Sequence, residues 1–151
     1  MKNLINSLLT LSIMMVIMVA LVVKTAETAE YDVIKKPSPV NNEMSIGEVR
    51  KLFSLKTPRW DDDTPITIYI LPFQNRHHKA FVRKVLRSTP KRFKSMVEEH
   101  RNGRGGVKLE KARGLNDMLD RVSNTDGGVG YSDHFLVMQQ GAGYVQVINI
   151  R

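Results

Sequence analysis

The residues best placed for chemistry in this 151-residue chain are Asn75, Arg76, His77 and His78. A β-branched and aromatic run at 66–71 precedes them, then a turn at 72–75. Ala80, Phe81, Val85 and Leu86 follow on one side of an amphipathic stretch. This order predicts a strand, a tight connection and a helix that begins at Asn75. A helix N-terminus offers free backbone N–H groups and the positive end of the macrodipole, so it attracts anions. Arg76 is a permanent cation able to hold two oxyanion oxygens at once. Asn75 is a good N-cap. The plainer reading is a capped helix with a solvated arginine and surface histidines, and the residues alone leave both open.

Other candidates carry less. His77 and His78 are adjacent, so on a helix they point about 100° apart and do not chelate one metal. His100 and His134 are isolated, and surface or boundary positions are expected for them. Asp61, Asp62 and Asp63 lack the alternating oxygen ligands and distal Glu of a calcium loop, which leaves a solvated turn. Gly103-Arg104-Gly105-Gly106 lacks the Lys-Ser/Thr of a phosphate loop and does not follow a strand. No Ser/His/Asp set, carboxylate pair or cofactor fingerprint stands out. The expectation is a protein with no catalytic residues, no metal and no cofactor. The absence of cysteine excludes disulfides, thiolate metal sites and cysteine nucleophiles.

The elements around 75–78 can be read from spacing. A short strand is expected at 31–34, then a Pro-containing loop at 35–42. Ser45 and Glu48 form a capping box, and Ile46, Val49, Leu52 and Phe53 continue it as a helix to about residue 54. Residues 57–64 form a loop, and the helix from Asn75 is expected to reach about residue 87. Thr89-Pro90 starts another helix, with Phe93, Met96 and Val97 inward. A glycine-rich loop spans 102–106. Leu115, Met118, Leu119 and Val122 mark a further amphipathic helix, stopped by Asp126-Gly127-Gly128. Strands are expected at 129–131 and 144–150. Strands alternating with helices predict one α/β domain, and the length suits one domain rather than two.

Charge is uneven. The chain carries a formal net charge of +8. Residues 76–113 hold 13 Lys and Arg against the three acids Glu98, Glu99 and Glu110. Such a local field attracts anions: lipid headgroups, lipopolysaccharide or an acidic partner. Nucleic acid is not expected, because stacking aromatics are sparse there and the N-terminus argues for export. Residues 8–23 are apolar except for Thr10 and Ser12, and Lys2 precedes them. This is the pattern of a secretory signal, and its length is close to the ~17-residue minimum for a membrane span. Cleavage after Ala20, Ala26 or Ala29 would put Met18, Lys24 or Glu27 at the −3 position, where a small residue is wanted. Residues 1–26 are therefore either a cleaved signal or an inner-membrane anchor, and 27–151 form an exported, periplasmic domain.

The order of the motifs resembles the periplasmic phosphate-binding protein family. Leu52-Phe53-Ser54-Leu55-Lys56 stands where that family ends a helix in a Phe-Leu-Gly-like stretch. Trp60-Asp61-Asp62-Asp63 matches its Trp and acidic turn, and the 66–71 strand leads to its Ser-Gly-Thr-like phosphate loop. Gly127 to Tyr131 matches its later Gly-Ala-Ile-Gly-Tyr-like strand. The resemblance implies one lobe of a type II periplasmic binding protein, a small mixed sheet flanked by helices. It also implies a solute-binding role for phosphate transport, with an oxyanion such as phosphate at Asn75, Arg76, His77 and His78. The family's Ser, Gly and Thr fall on Asn75, Arg76 and His77, so its hydroxyl donors are replaced. The full-length binders close two lobes on their ligand, and this chain has room for one. The alternative is an envelope module that binds no small ligand and uses its basic 76–113 face on a protein or anionic lipid.

Overall fold

The computed structural model describes residues 30–39, 42–102, 106–141 and 143–151. Residues 1–26, for which a signal or anchor is expected, and most of the Gly103–Gly106 loop lie outside these residues. Among the described residues, no helix is long and apolar enough to cross a membrane.

Strand β1 (Tyr31–Lys35) is buried along its whole length. β2 (Glu43–Met44) leads into α1 (Ile46–Phe53). The capping box forms as the sequence requires: the Ser45 hydroxyl accepts the Glu48 amide, and the Glu48 carboxylate accepts the Ser45 amide. Val49, Leu52 and Phe53 turn inward from α1. β3 (Thr67–Ile70) is followed by α2 (Arg76–Lys84) and α3 (Pro90–Asn102). β4 (Lys108–Lys111), α4 (Leu115–Ser123) and β5 (Gly128–Asp133) come next. A helical turn at His134–Leu136 runs into a wider turn at Val137–Gly141, and the chain ends in β6 (Gln146–Val147) and β7 (Asn149–Ile150).

Five strands form one mixed sheet in the order β4-β3-β5-β1-β6. β3 runs parallel to β4 and to β5. β1 is antiparallel to β5 and β6, with Tyr31 opposite Asp133 and Ile34 opposite both Gly130 and Val147. Each parallel step is bridged by helix, as parallel pairing requires. β2 and β7 pair separately in a two-stranded parallel ladder.

The core lies on both faces of the sheet. On one, α4 packs against β5, β1 and β3. Gly130 makes that approach possible: a Cβ there would stand 2.5 Å from the Met118 sulfur. On the other face, Tyr131 stacks on Phe81 of α2 with centroids 3.9 Å apart, and Phe53 of α1 meets both rings edge-on. Removing such apolar surface from water stabilises by roughly 1.5–3 kcal/mol per large side chain. At Gly127, φ is +69° and a Cβ would fall 2.0 Å from the Pro65 carbonyl oxygen. That glycine lets its own carbonyl accept both the Thr67 amide and the Trp60 indole N–H, each at 3.2 Å.

Two expectations need correction, and one strand has to be added. α2 stops at Lys84, short of residue 87. The Ser88 amide closes back on the Val82 carbonyl at 3.0 Å, with Arg87 at φ 52° between them. This is the left-handed ending common at helix C-termini, with arginine where glycine is usual. The final strand is two, because Ile148 donates to Val33 while Asn149 turns to Asn42. β4 was not foreseen.

Candidate functional site

The C-terminal ends of β3, β4 and β5 lie on one edge of the sheet, because the three run parallel. The helices that follow β3 and β4 therefore begin at that edge. In open α/β sheets this is where ligands collect. An open cleft of about 740 Å³ lies there, lined by Asn75, Arg76, His77, Arg113, Gly114, Leu115, Asn116, Asp117, Asp133 and Leu136.

The first of the two helix starts is that of α2. Asn75 is extended (φ −63°, ψ 134°), and its side-chain oxygen accepts the His77 amide at 2.8 Å. Arg76 is exposed, and its Nε donates to His77 Nε2 at 3.2 Å. Nε2 is then the unprotonated ring nitrogen, and Nδ1–H donates to the Tyr31 hydroxyl oxygen at 3.1 Å. Tyr31 thus fixes the imidazole, and the imidazole aims the guanidinium. The outer N–H groups of Arg76 stay available. Burial, with the nearby carboxylates Glu30 and Asp133, pushes the Tyr31 hydroxyl up, and Arg76 opposes the shift.

The second start is that of α4. Gly114 is its N-cap and supplies no side-chain acceptor. The amides of the first turn therefore keep donors with no side-chain cap, facing the cleft that Gly114, Leu115 and Asn116 line. Arg113 brings a second cation, but Asp117 engages it. The Asp117 carboxylate accepts the Arg113 amide at 2.8 Å and the Arg121 Nε at 2.8 Å, and pairs with the Arg113 guanidinium at 3.4 Å. The Arg113 amide and these cations hold its carboxyl below the usual carboxylate range. Asp133 faces the cleft too, and its carboxylate accepts the Phe135 and Leu136 amides. The cleft therefore combines two helix N-termini and two arginines with two carboxylates.

The sequence singled out Asn75, Arg76, His77 and His78. The first three line the cleft. His78 does not: it is fully buried among Phe73, Phe93 and Tyr131. Its Nδ1 lies 2.6 Å from the Tyr131 hydroxyl. The expectation that the histidines are surface residues fails for this one. Burial, and then the Lys111 charge, hold His78 down at about 4, so it is neutral at pH 7. A signal for this was present, since residues 78, 81, 82 and 85 share helical spacing with the apolar stripe.

Sequence reasoning missed Arg113, Gly114, Asp117 and Asp133. Arg113 and Gly114 follow β4, Asp117 lies in the first turn of α4 and Asp133 ends β5, and β4 itself had not been recognised. Elsewhere, His100 Nε2–H donates to the Val107 carbonyl oxygen, 2.8 Å away. His134 Nδ1 meets the Asp32 carboxylate at 2.8 Å. Ser132, opposite Asp32 in the sheet, is buried, and its hydroxyl has no hydrogen-bond partner among the described residues. Asp32 and His134 are thus not joined to that serine as a nucleophilic set. Among the described residues, no cluster of His and carboxylates is arranged to hold a metal ion.

The five-stranded mixed sheet with helices on both faces is a mixed α/β fold, and its likeness to solved structures is at the level of that fold. Solved structures with the same architecture are proteins of phosphate transport. One from Clostridium perfringens, assigned as a phosphate ABC transporter substrate-binding protein and solved with bound phosphate, matches 80% of this chain with a TM-score of 0.58 and 13% identity. PstS from Borrelia burgdorferi matches 81% with a TM-score of 0.59 and 11% identity. An ABC-type phosphate transport receptor from Vibrio cholerae matches 80% with a TM-score of 0.55 and 11% identity. The chain spans 44%, 47% and 46% of these three proteins, less than half of each. At such identity the likeness is one of fold. No protein-family model matches the sequence. No curated protein matches it either.

Proposed function

We propose that this domain is a solute-binding-like protein that takes a small oxyanion, inorganic phosphate first among them, at the cleft formed by the starts of α2 and α4. The observation that carries the reading is convergence. Two helix N-termini and the guanidinium of Arg76 address one open cleft at the C-terminal edge of the parallel strands. Backbone N–H groups and the macrodipoles supply fixed partial positive charge. Arg76, held by His77, supplies two directed donors. His77 serves as a positioning residue, and Asn75 shapes the α2 start. His78 takes no part in ligand contact.

In this reading the chain acts as a binding protein at the cell envelope and not as an enzyme. Export by residues 1–26, cleaved or retained as an anchor, belongs to the same proposal. The fold shared with phosphate-binding transport proteins supports it, as does the apolar N-terminal run. Phosphate bound at an open, one-sided cleft keeps part of its hydration, so affinity is expected in the micromolar to millimolar range and not tighter.

Calorimetric titration of the full chain with inorganic phosphate, at low and at physiological salt, tests the proposal. Binding that persists in salt and disappears in Arg76→Ala is the expected result. Heat that vanishes with salt, or that is unchanged in Arg76→Ala, would overturn it.

A further inference from the structure

At the other end of α2, away from that cleft, a second concavity of about 540 Å³ opens between the end of α1, the turn before α3 and the first half of α3. Phe53, Leu86, Phe93 and Met96 form an apolar side, and Arg50, Lys56, Arg87 and Arg92 bring four positive charges. Glu99 is the one acid that lines it. Among the described residues, none of the four cations forms an ion pair.

Two of the four stand where the local backbone disfavours them. Arg87 has φ 52°, the left-handed region that favours glycine. Arg92 lies in the first turn of α3, which holds no acid, beside the positive end of the helix macrodipole. Arg50 is ordinary by comparison, in the last turn of α1, with its Nε donating to the Val85 carbonyl at 3.4 Å. Like charges gathered without partners repel, and here two of them also oppose local preference. An anion in the concavity relieves both costs.

We propose that this concavity is a second anion site, for a phosphate monoester carried on an apolar body. A bare phosphate ion would use the four cations and leave the aromatic side unused. An apolar molecule would use Phe53, Phe93 and Met96 and leave the charges facing one another. A phosphate head on an apolar body satisfies both halves, with hydroxyl donors from Ser54, Ser88 and Ser95 on the lining. Such a group can come from a soluble phosphoester or from the headgroup of a phosphorylated lipid.

The test uses the full chain carrying Arg76→Ala, so that the first cleft is silenced and its own fate does not affect the outcome. Phenyl phosphate is the soluble probe. It is expected to bind at least about tenfold more tightly than inorganic phosphate, and Arg87→Gly or Arg92→Gln is expected to weaken it about tenfold. Arg87→Gly suits the left-handed backbone, so its thermal midpoint should hold or rise, and lost binding cannot then be put down to unfolding. No binding of phenyl phosphate, equal affinity for inorganic phosphate, or no effect of either variant overturns the proposal. Flotation with phosphatidic acid in phosphatidylcholine vesicles, read as the excess over phosphatidylcholine alone so that insertion of the apolar 8–23 run is subtracted, separates the two sources. Capture by the acidic vesicles that Arg92→Gln abolishes assigns the site to lipid. Phenyl phosphate binding without such capture assigns it to a soluble ester.

Discussion

The hydroxyl of Tyr131 lies 2.6 Å from Nδ1 of His78 and also accepts the Leu71 amide at 3.0 Å, all of it sealed from water. The phenol's own proton finds its acceptor among the described residues at Nδ1, so the phenol donates there while it accepts the amide. His78 then carries its proton on Nε2, which is buried and has no hydrogen-bond partner among the described residues. A strand, a helix and the chain leaving β3 are joined by this one pair of groups.

Stability should fall in mild acid through His78. Burial holds its folded-state pKa at about 4, below the ordinary histidine value of 6.5. Between those values the unfolded chain binds a proton that the folded chain does not, so stability drops as pH falls through that window. From this group alone, unfolding at pH 5 should cost roughly 2 kcal/mol less than at pH 7. Urea unfolding at both pH values measures it, and His78→Phe should flatten the difference. An equal slope in wild type and variant would place the acid sensitivity elsewhere.

Tyr131→Phe keeps the ring stacked on Phe81 but removes the acceptor for the Leu71 amide and the donor for His78. A buried N–H left without a partner costs about 1–3 kcal/mol. The loss should appear in chemical denaturation with the fold retained, since the ring still fills its place.

Gly130→Ala should destabilise by about 1–3 kcal/mol, the usual cost of overpacking. The new methyl meets the Met118 sulfur and the Val122 side chain, which hold α4 on the sheet. Pairing it with Met118→Ala should recover part of the loss. A thermal scan of the single and double variants decides whether the clash or the backbone carries the effect.

Asp117→Asn should tighten phosphate binding at the first cleft while lowering the melting temperature. The carboxylate engages Arg113 and Arg121 and repels an incoming anion. Neutralising it frees Arg113 to face the ligand, for a gain of severalfold in titration with inorganic phosphate. Unchanged affinity would show that Arg113 is not within reach of the ligand.

Helices were legible where the sequence states their ends. Ser45 and Glu48 mark α1, Thr89-Pro90 marks α3, and the apolar spacing from Leu115 to Val122 marks α4. β4 was not legible, because Lys-Leu-Glu-Lys on the sheet edge has one apolar residue and the charges that edge strands carry. The split between β6 and β7 shows in the sequence only as the adjacent apolar pair Val147-Ile148, which breaks the alternation where the partner changes. At the site, Asn75 and Arg76 could be placed from their position before a helix. Arg113 and Asp117 could not, because nothing local says that two loops from different strands meet.

β1 is the first described strand, and it ends up in the interior of the sheet between β5 and β6. Both of its neighbours come from the last quarter of the sequence. A chain leaving the ribosome N-terminus first holds this fully buried strand with nothing to pair it to until β5 has been made. Its folding is therefore governed by long-range closure, which is slow compared with local pairing. During that interval Val33 and Ile34 are exposed to whatever holds nascent chains, and the order of manufacture keeps the domain open until its final strands arrive.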